Sequence, residues 1–330
     1  MKDYGSKIIG TGVGHPVKEI SNAELEKFID TNDEWIQTRT GIQTRRLANP
    51  ELGETTGSLS LKAAEAALRD ADLSPSDLEL IIVGTLTSDT VMPTTANCLQ
   101  AALGAKRAFG FDLQAACSGW LYALSVADHF IRAGTVKNAL VIGAETLSTL
   151  MNWRDRSTCV LFGDAAGATI LARTEDQNRI LATRLYSDGT LKDLLKIPHG
   201  YGKVPPYSAE YRLDQHKIQM KGNEIFKIAV RNMVEAATSI LFENNLSVKD
   251  INLFVFHQAN IRIIDLCAKM LEVDPDKMWV NVQKYGNTSA ATLPVCLDEA
   301  RKAGKAKEGD LVLVVTFGGG LTWASGLVRL

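Results

Sequence analysis

Sulfur chemistry has one well-placed candidate in this sequence. Of the cysteines at 98, 117, 159, 267 and 296, Cys117 lies in Phe109-Gly110-Phe111-Asp112-Leu113-Gln114-Ala115-Ala116-Cys117-Ser118-Gly119-Trp120. This segment reads as a strand, a tight turn and the start of a helix, with helical spacing continuing through Leu121, Leu124 and Ala127. The first turn of a helix has unpaired N–H groups and the positive end of the macrodipole, both of which favour an anion. A free thiol with a pKa of about 8.5 is expected to be lowered there, and each pKa unit is worth about 1.4 kcal/mol of preference for the thiolate. Small neighbours (Ala115, Ala116, Ser118 and Gly119) leave room for a substrate to reach the sulfur. Nucleophilic catalysis through a thioester is the chemistry such a residue supports. Cys98, Cys159, Cys267 and Cys296 lie inside apolar patterns and read as small buried side chains.

Two further residues stand at strand-to-helix switches. His257 ends the apolar run Leu253-Phe254-Val255-Phe256 and is followed by Gln258-Ala259-Asn260 and a helical pattern. The carboxyl ends of such strands are where α/β folds gather ligands, although a histidine there can equally be a hydrogen-bonded structural group. Asn287, in Tyr285-Gly286-Asn287-Thr288-Ser289-Ala290-Ala291, also opens a helix, where its simplest role is an N-cap.

The elements that must position these residues belong to an α/β chain. Leu80–Val83, Ala139–Ile142 and Leu311–Val315 are apolar throughout and read as fully buried strands. Ala63–Ala71 and Ile228–Leu241 read as covering helices. Residues 73–85, LSPSDLELIIVGT, align without gaps on residues 246–258, LSVKDINLFVFHQ, at an offset of 173. Later pieces pair at similar separation. The strand before Cys117 matches one expected near Trp279 to Val282, 137–146 matches 309–318, and 167–173 resembles 323–329. A period this long predicts a duplicated domain with a pseudo-twofold axis, which could bring Cys117, His257 and Asn287 to one pocket. The least regular stretch, Ser187 to Gly222, holds Pro198, Pro205 and Pro206 and reads as a loop excursion.

Composition narrows the function classes. The chain has 330 residues, 45% of them hydrophobic and 22% charged, which suits a soluble enzyme of two domains. With 36 basic and 38 acidic side chains, no net field attracts nucleic acid. No signal-peptide core or membrane-length apolar run occurs, and the scattered cysteines form neither a disulfide framework nor a zinc ribbon. A reducing cytoplasmic location without membrane contact is the expectation. The glycines of GTGVGHP (10–16) are not a dinucleotide loop, because His15 replaces the third glycine and Pro16 opposes a following helix.

Six segments together carry a resemblance. NDEWIQTRTGI (32–42), AACSGW (115–120), DRSTCVLFGD (155–164), HQANIRI (257–263), GNTSAAT (286–292) and FGGGLTW (317–323) resemble β-ketoacyl-[acyl-carrier-protein] synthase III, in that family's order and over essentially the whole chain. The resemblance implies a thiolase-like fold, with two duplicated βαβαβαββ-type halves (1–177 and 178–330) packed in five αβαβα layers. It implies a Cys117–His257–Asn287 triad, with the N–H groups of Cys117 and Gly319 as oxyanion hole. In such enzymes the thiolate takes an acyl group from coenzyme A, and malonyl-acyl carrier protein then decarboxylates and attacks the enzyme thioester. The product begins a fatty-acid chain. Acyl-CoA is thus a substrate, and neither a cofactor nor a metal is expected.

The resemblance also implies Trp35 and Arg156 around the CoA adenine, with Arg39 near the phosphates. Lys227, Arg262 and Lys269 become docking residues for the acidic acyl carrier protein, and the enzyme is expected to be a homodimer. Met92, Trp120 and Phe317 are expected in the acyl pocket, Met92 by reaching the partner's pocket. Trp120 stands where phenylalanine is usual, and Ala165 replaces a common glycine. Other readings to be distinguished are a sister enzyme priming a polyketide or another specialised pathway, a cysteine hydrolase, and a non-catalytic acyl-binding protein.

Overall fold

The computed structural model describes residues 4–177, 179–198, 202, 204, 205, 207–212 and 215–330. Two sheets organise them. The first has the order β1 (Gly5–Gly14), β7 (Ala165–Thr174), β6 (Asn138–Glu145), β4 (Leu80–Gly84), β5 (Phe109–Leu113). The second has the order β11 (Leu253–Phe256), β12 (Leu311–Gly318), β13 (Thr322–Arg329), β8 (Ile180–Ser187). Strands β4, β5 and β6 pair in parallel, as do β11 and β12, while β1, β7, β13 and β8 join antiparallel. Two small ribbons, β2 (Glu19–Ser21) with β3 (Thr44–Arg46) and β9 (Leu195–Lys196) with β10 (Gln219–Met220), lie outside the sheets.

Helices cover both faces of each sheet, which is why β4 and β12 are buried at every position. In the middle layer α5 (Gly119–Arg132) and α10 (Thr292–Lys302) touch both sheets. There Leu121, Leu124, Leu293 and Leu297 pack with Val312 and Val314, and each fully buried aliphatic side chain stabilises by roughly 1.5–3 kcal/mol. On the outer face of the first sheet lie α3 (Thr56–Asp70) and α4 (Thr95–Leu103). The outer face of the second carries α7 (Gly222–Glu243), against which α8 (Ile261–Met270) packs. The order is the five-layer αβαβα arrangement of two similar halves.

The repeated segments have the same local structure. A covering helix leads to a serine-led 3-10 turn (Pro75–Asp77 after Ser74, Val248–Asp250 after Ser247) and then to β4 or β11. Between the halves, β7 ends at Thr174 and β8 begins at Ile180. The expected junction at 177/178 involves residue 178, which is outside the described residues.

Three expectations are corrected. No strand forms from Trp279 to Val282; Met278 makes an isolated bridge to Phe254, and α9 (Val282–Tyr285) starts at once. The Gln258 side-chain oxygen accepts from the N–H groups of Asn281 and Val282, at 3.0 and 3.1 Å, and so replaces a strand partner. Cys98 is exposed, because α4 buries Thr95, Ala96 and Leu99 and turns Cys98 off that stripe. The stretch from Ser187 to Gly222 is not wholly irregular, since β9 and β10 pair within it; its Gly200 and Pro206 are outside the described residues. The glycines of 10–14 lie in β1. A Cβ on Gly12 would sit 2.4 Å from the Ala63 oxygen of α3, so close helix packing explains that motif.

Candidate active site

The Cys117 turn is built by the first half and fastened by the second. β5 runs into Ala116, whose φ of 47° is left-handed, and then through the short turn Ala116–Ser118 into α5. The Thr316 hydroxyl of β12 donates to the Cys117 carbonyl at 3.0 Å, and the Thr322 hydroxyl of β13 donates to Ala115 at 2.8 Å. Gly318 must lack a side chain, because a Cβ there would lie 2.7 Å from the Cys117 nitrogen.

The expected lowering of the Cys117 pKa is not found. Burial pushes the thiol up to about 11. The Ser289 hydroxyl and the N–H groups of Cys117 and Gly319 pull it down, while the Glu145 carboxylate raises it. Loss of hydration therefore outweighs the helix end. Without substrate, Cys117 is a thiol at neutral pH.

His257 immediately follows β11, and its N–H extends the ladder by donating to Val315 at 2.8 Å. Its imidazole is buried, which lowers the pKa to about 3, and Nδ1 has no hydrogen-bond partner among the described residues. Among the described residues no carboxylate bonds to it, and burial keeps His257 neutral. Asn287 is fixed by main-chain bonds to Leu161 (2.8 Å) and Gly163 (3.1 Å). Its side-chain oxygen accepts from the Ser289 N–H at 2.9 Å, which leaves the amide NH2 to donate elsewhere.

Cys117, His257 and Asn287 line one cavity of about 590 Å³, together with Phe317. A second cavity of about 300 Å³ meets Cys117 from another side and is lined by Leu86, Leu147, Ile197, Ile218 and Gly319; Phe162 and Leu195 border both. Cys117 therefore stands between a larger and a smaller space, each lined mainly by apolar groups.

Comparison with known proteins fits this geometry. Residues 111–189 match the model of 3-oxoacyl-[acyl-carrier-protein] synthase III, and residues 241–330 match the model of its C-terminal part. A β-ketoacyl-[acyl-carrier-protein] synthase III of Aquifex aeolicus is 50% identical over 326 residues, 98% of this chain and 99% of that protein. The chain belongs to the β-ketoacyl-[acyl-carrier-protein] synthase III family. The crystal structure of 3-oxoacyl-[acyl-carrier-protein] synthase III from Aquifex aeolicus superposes with a TM-score of 0.91 at 49% identity, covering 99% of this chain and 100% of that one. The priming β-ketosynthase of the R1128 polyketide pathway superposes with a TM-score of 0.93 at 33% identity, covering 100% and 97%.

The remaining residues suggested by the synthase III resemblance are placed unevenly. Trp35 and Arg39, on α2 (Asp33–Thr40), line the larger cavity, and Arg156 begins α6 (Arg156–Cys159) beside them. Both guanidinium carbons lie near the Trp35 ring centre, Arg39 at 5.0 Å and Arg156 at 5.2 Å. A flat base between Trp35 and Arg156 needs roughly 7 Å, twice an ordinary contact, so Arg156 must swing outward to admit one. Lys227 of α7 and Arg262 of α8 border the same cavity, whereas Lys269 is exposed in the last turn of α8 and lines neither cavity.

Trp120 also lines neither cavity, which corrects its expected place in the acyl pocket. It is 1% exposed, and its indole N–H donates to Thr169 at 3.3 Å. Met92 is 85% exposed on the loop after β4 and reaches neither cavity of its own chain.

Two residues beside the thiol were missed in the sequence. Ser289 lies two positions after Asn287, and its hydroxyl lowers the Cys117 pKa. Glu145 ends β6 and is fully buried. An acidic residue closing an otherwise apolar strand was the available signal.

Proposed function

We propose that this chain catalyses the initiating condensation of fatty-acid synthesis. A short acyl group passes from acyl-CoA to Cys117, and malonyl-acyl carrier protein then loses CO2 and attacks the thioester. The products are a 3-oxoacyl-acyl carrier protein, CoA and CO2. The observation that carries this reading is a thiol at the meeting of two cavities, with neutral His257 and Asn287 beside it in the larger one. Decarboxylation places negative charge on a thioester oxygen, which two neutral donors stabilise without supplying a competing acid. The N–H groups of Cys117 and Gly319 lower the thiol pKa from beside it, and they serve the oxyanion of acyl transfer. The smaller cavity accepts the acyl chain, whereas Phe317, expected in the acyl pocket, lines the larger cavity instead. The steps need only these side chains and backbone donors, so acyl-CoA is a substrate and no resident cofactor is invoked.

Trp35, Arg39 and Arg156 serve the CoA nucleotide, and Lys227 with Arg262 meets the carrier protein, with Lys269 further along α8. A homodimer is part of this reading, and it is supported by β5, an edge strand of the first sheet with Phe109 44% exposed, and by the nearby exposed Val91 and Met92. Such a dimer would carry Met92 toward the partner's site. Among the described residues no helix is long and apolar enough to cross a membrane, and the free cysteines suit a reducing cytoplasm. The halves are taken to join at 177/178.

Incubation with labelled acetyl-CoA followed by peptide mass analysis should give one adduct, on Cys117. Addition of malonyl-acyl carrier protein should convert it to the 3-oxoacyl thioester. Free acid as the product would show a hydrolase, and an adduct elsewhere or none with any acyl-CoA would remove the proposal.

A further inference from the structure

Acylation must take a proton from Cys117, a thiol that burial has made a weak acid. His257 is a poor acceptor for it, because burial also disfavours its charged form. Glu145 lies on the other side of Ser289. The Ser289 hydroxyl donates to Glu145 Oε1 at 3.3 Å, and Ser289 and Cys117 line the same small cavity, where the hydroxyl lowers the thiol pKa, so one hydroxyl lies between thiol and carboxyl. The carboxyl accepts from the Thr87 hydroxyl at 2.6 Å and from the Leu86 N–H at 3.3 Å, and the Thr85 hydroxyl approaches at 3.4 Å.

We propose that Glu145 is a positioning residue that holds the proton of Cys117 while the sulfur carries the acyl group, receiving and returning it through the Ser289 hydroxyl. This rests on the acyl-Cys117 reading above. In acylation, the S–H proton passes to Ser289 as the Ser289 proton passes to the Glu145 carboxylate. The sulfur bonds to the thioester carbonyl, and the bond to CoA sulfur breaks. CoA leaves as a thiolate and takes a proton from water. In condensation, the malonyl carboxylate leaves as CO2 and the resulting carbanion bonds to the acyl carbon. The C–S bond to Cys117 breaks, and Glu145 returns its proton through Ser289. One proton from water is consumed over the cycle.

Burial pushes the carboxyl up to about 8, against the hydrogen bonds from Thr87, Leu86, Ser289 and Thr85. It can therefore both take and give a proton near neutral pH. The groups facing it are these hydroxyls and the N–H from the loop after β4, Ser289 from the second half, and Cys117 from the turn before α5. Of these, Cys117 is the titratable partner. Neutral His257 places no charge beside it.

The test is single-turnover acylation of the full chain by acetyl-CoA, followed by intact mass from about pH 6 to 9.5, with Tm measured on every variant. The wild type should speed up with pH and level off near pH 8. Glu145→Gln should acylate at least about tenfold more slowly near pH 7.5 and keep speeding up beyond pH 9, as the thiol ionises unaided. Ser289→Ala should give the same profile, Glu145→Asp should recover part of the rate, and Glu145→Gln with Ser289→Ala should be no slower than either alone. A wild-type rate and profile in Glu145→Gln would overturn the relay. Should Glu145→Gln fail to fold, Ser289→Ala decides alone, with a wild-type profile again overturning it. A wild type that does not acylate at Cys117 would overturn the underlying reading and the relay with it.

Discussion

At the residue scale, one neutral imidazole and one buried carboxyl set opposite pH behaviour. His257 is protonated only near pH 3, so the decarboxylation rate should show no fall between about pH 7 and 5 from this group. His257→Ala should spare most acylation while slowing malonyl decarboxylation by roughly 10²–10³-fold, the loss typical of one oxyanion donor. Product-release assays of the two half-reactions check this, and equal loss in both would show the roles to be misassigned. Glu145 has its folded pKa raised from 4.5 to about 8. Between those values the folded protein holds a proton that the unfolded chain has lost, so stability falls as pH rises through that window. Glu145→Gln removes this dependence. Its Tm relative to wild type should therefore rise by a few degrees between about pH 5 and pH 8.5, because each pKa unit corresponds to about 1.4 kcal/mol. A constant difference across that range would show that the carboxyl ionises normally.

At the element scale, the second turn of α7 and the first turn of α8 face the larger cavity with Lys227 and Arg262, whereas Lys269 lies at the far end of α8. Charge reversal at Lys227 and Arg262 should raise the KM for malonyl-acyl carrier protein several-fold at low salt and less at high salt. Acyl-CoA kinetics should change little, and Lys269→Glu should have the smaller effect. Steady-state assays against each substrate check this. The buried strands and covering helices were legible because β4, β6 and β12 each hold an unbroken apolar run (80–83, 139–142 and 311–315) and α3 and α7 repeat apolar residues at helical spacing. The Cys117, His257 and Asn287 switches were legible for the same reason, each following an apolar run or a small-residue turn. What hid was decided by contacts distant in sequence. Gln258 displaced a strand at 279–282, Trp120 turned into the core toward Thr169, and Glu145 met Ser289 across 144 positions. No local pattern records such pairings.

At the scale of the whole molecule, β5 leaves one edge of a five-stranded sheet available, flanked by exposed Phe109, Val91 and Met92. Pairing of two such edges about a twofold axis would close both. Phe109→Asp combined with Val91→Asp should shift the protein from dimer toward monomer in light scattering, and acyl-chain preference should change as Met92 loses its place. A wild type that is monomeric at micromolar concentration would remove this assembly. The five layers also fix when the site comes into being. Thr316 and Thr322 of the second half fasten the carbonyls of a turn made by the first. Before they dock, Cys117 is an ordinary exposed thiol that a small alkylating reagent labels quickly; after docking it is shielded and a weaker acid. During refolding, then, the alkylation rate of this one sulfur serves as a clock for the meeting of the two halves.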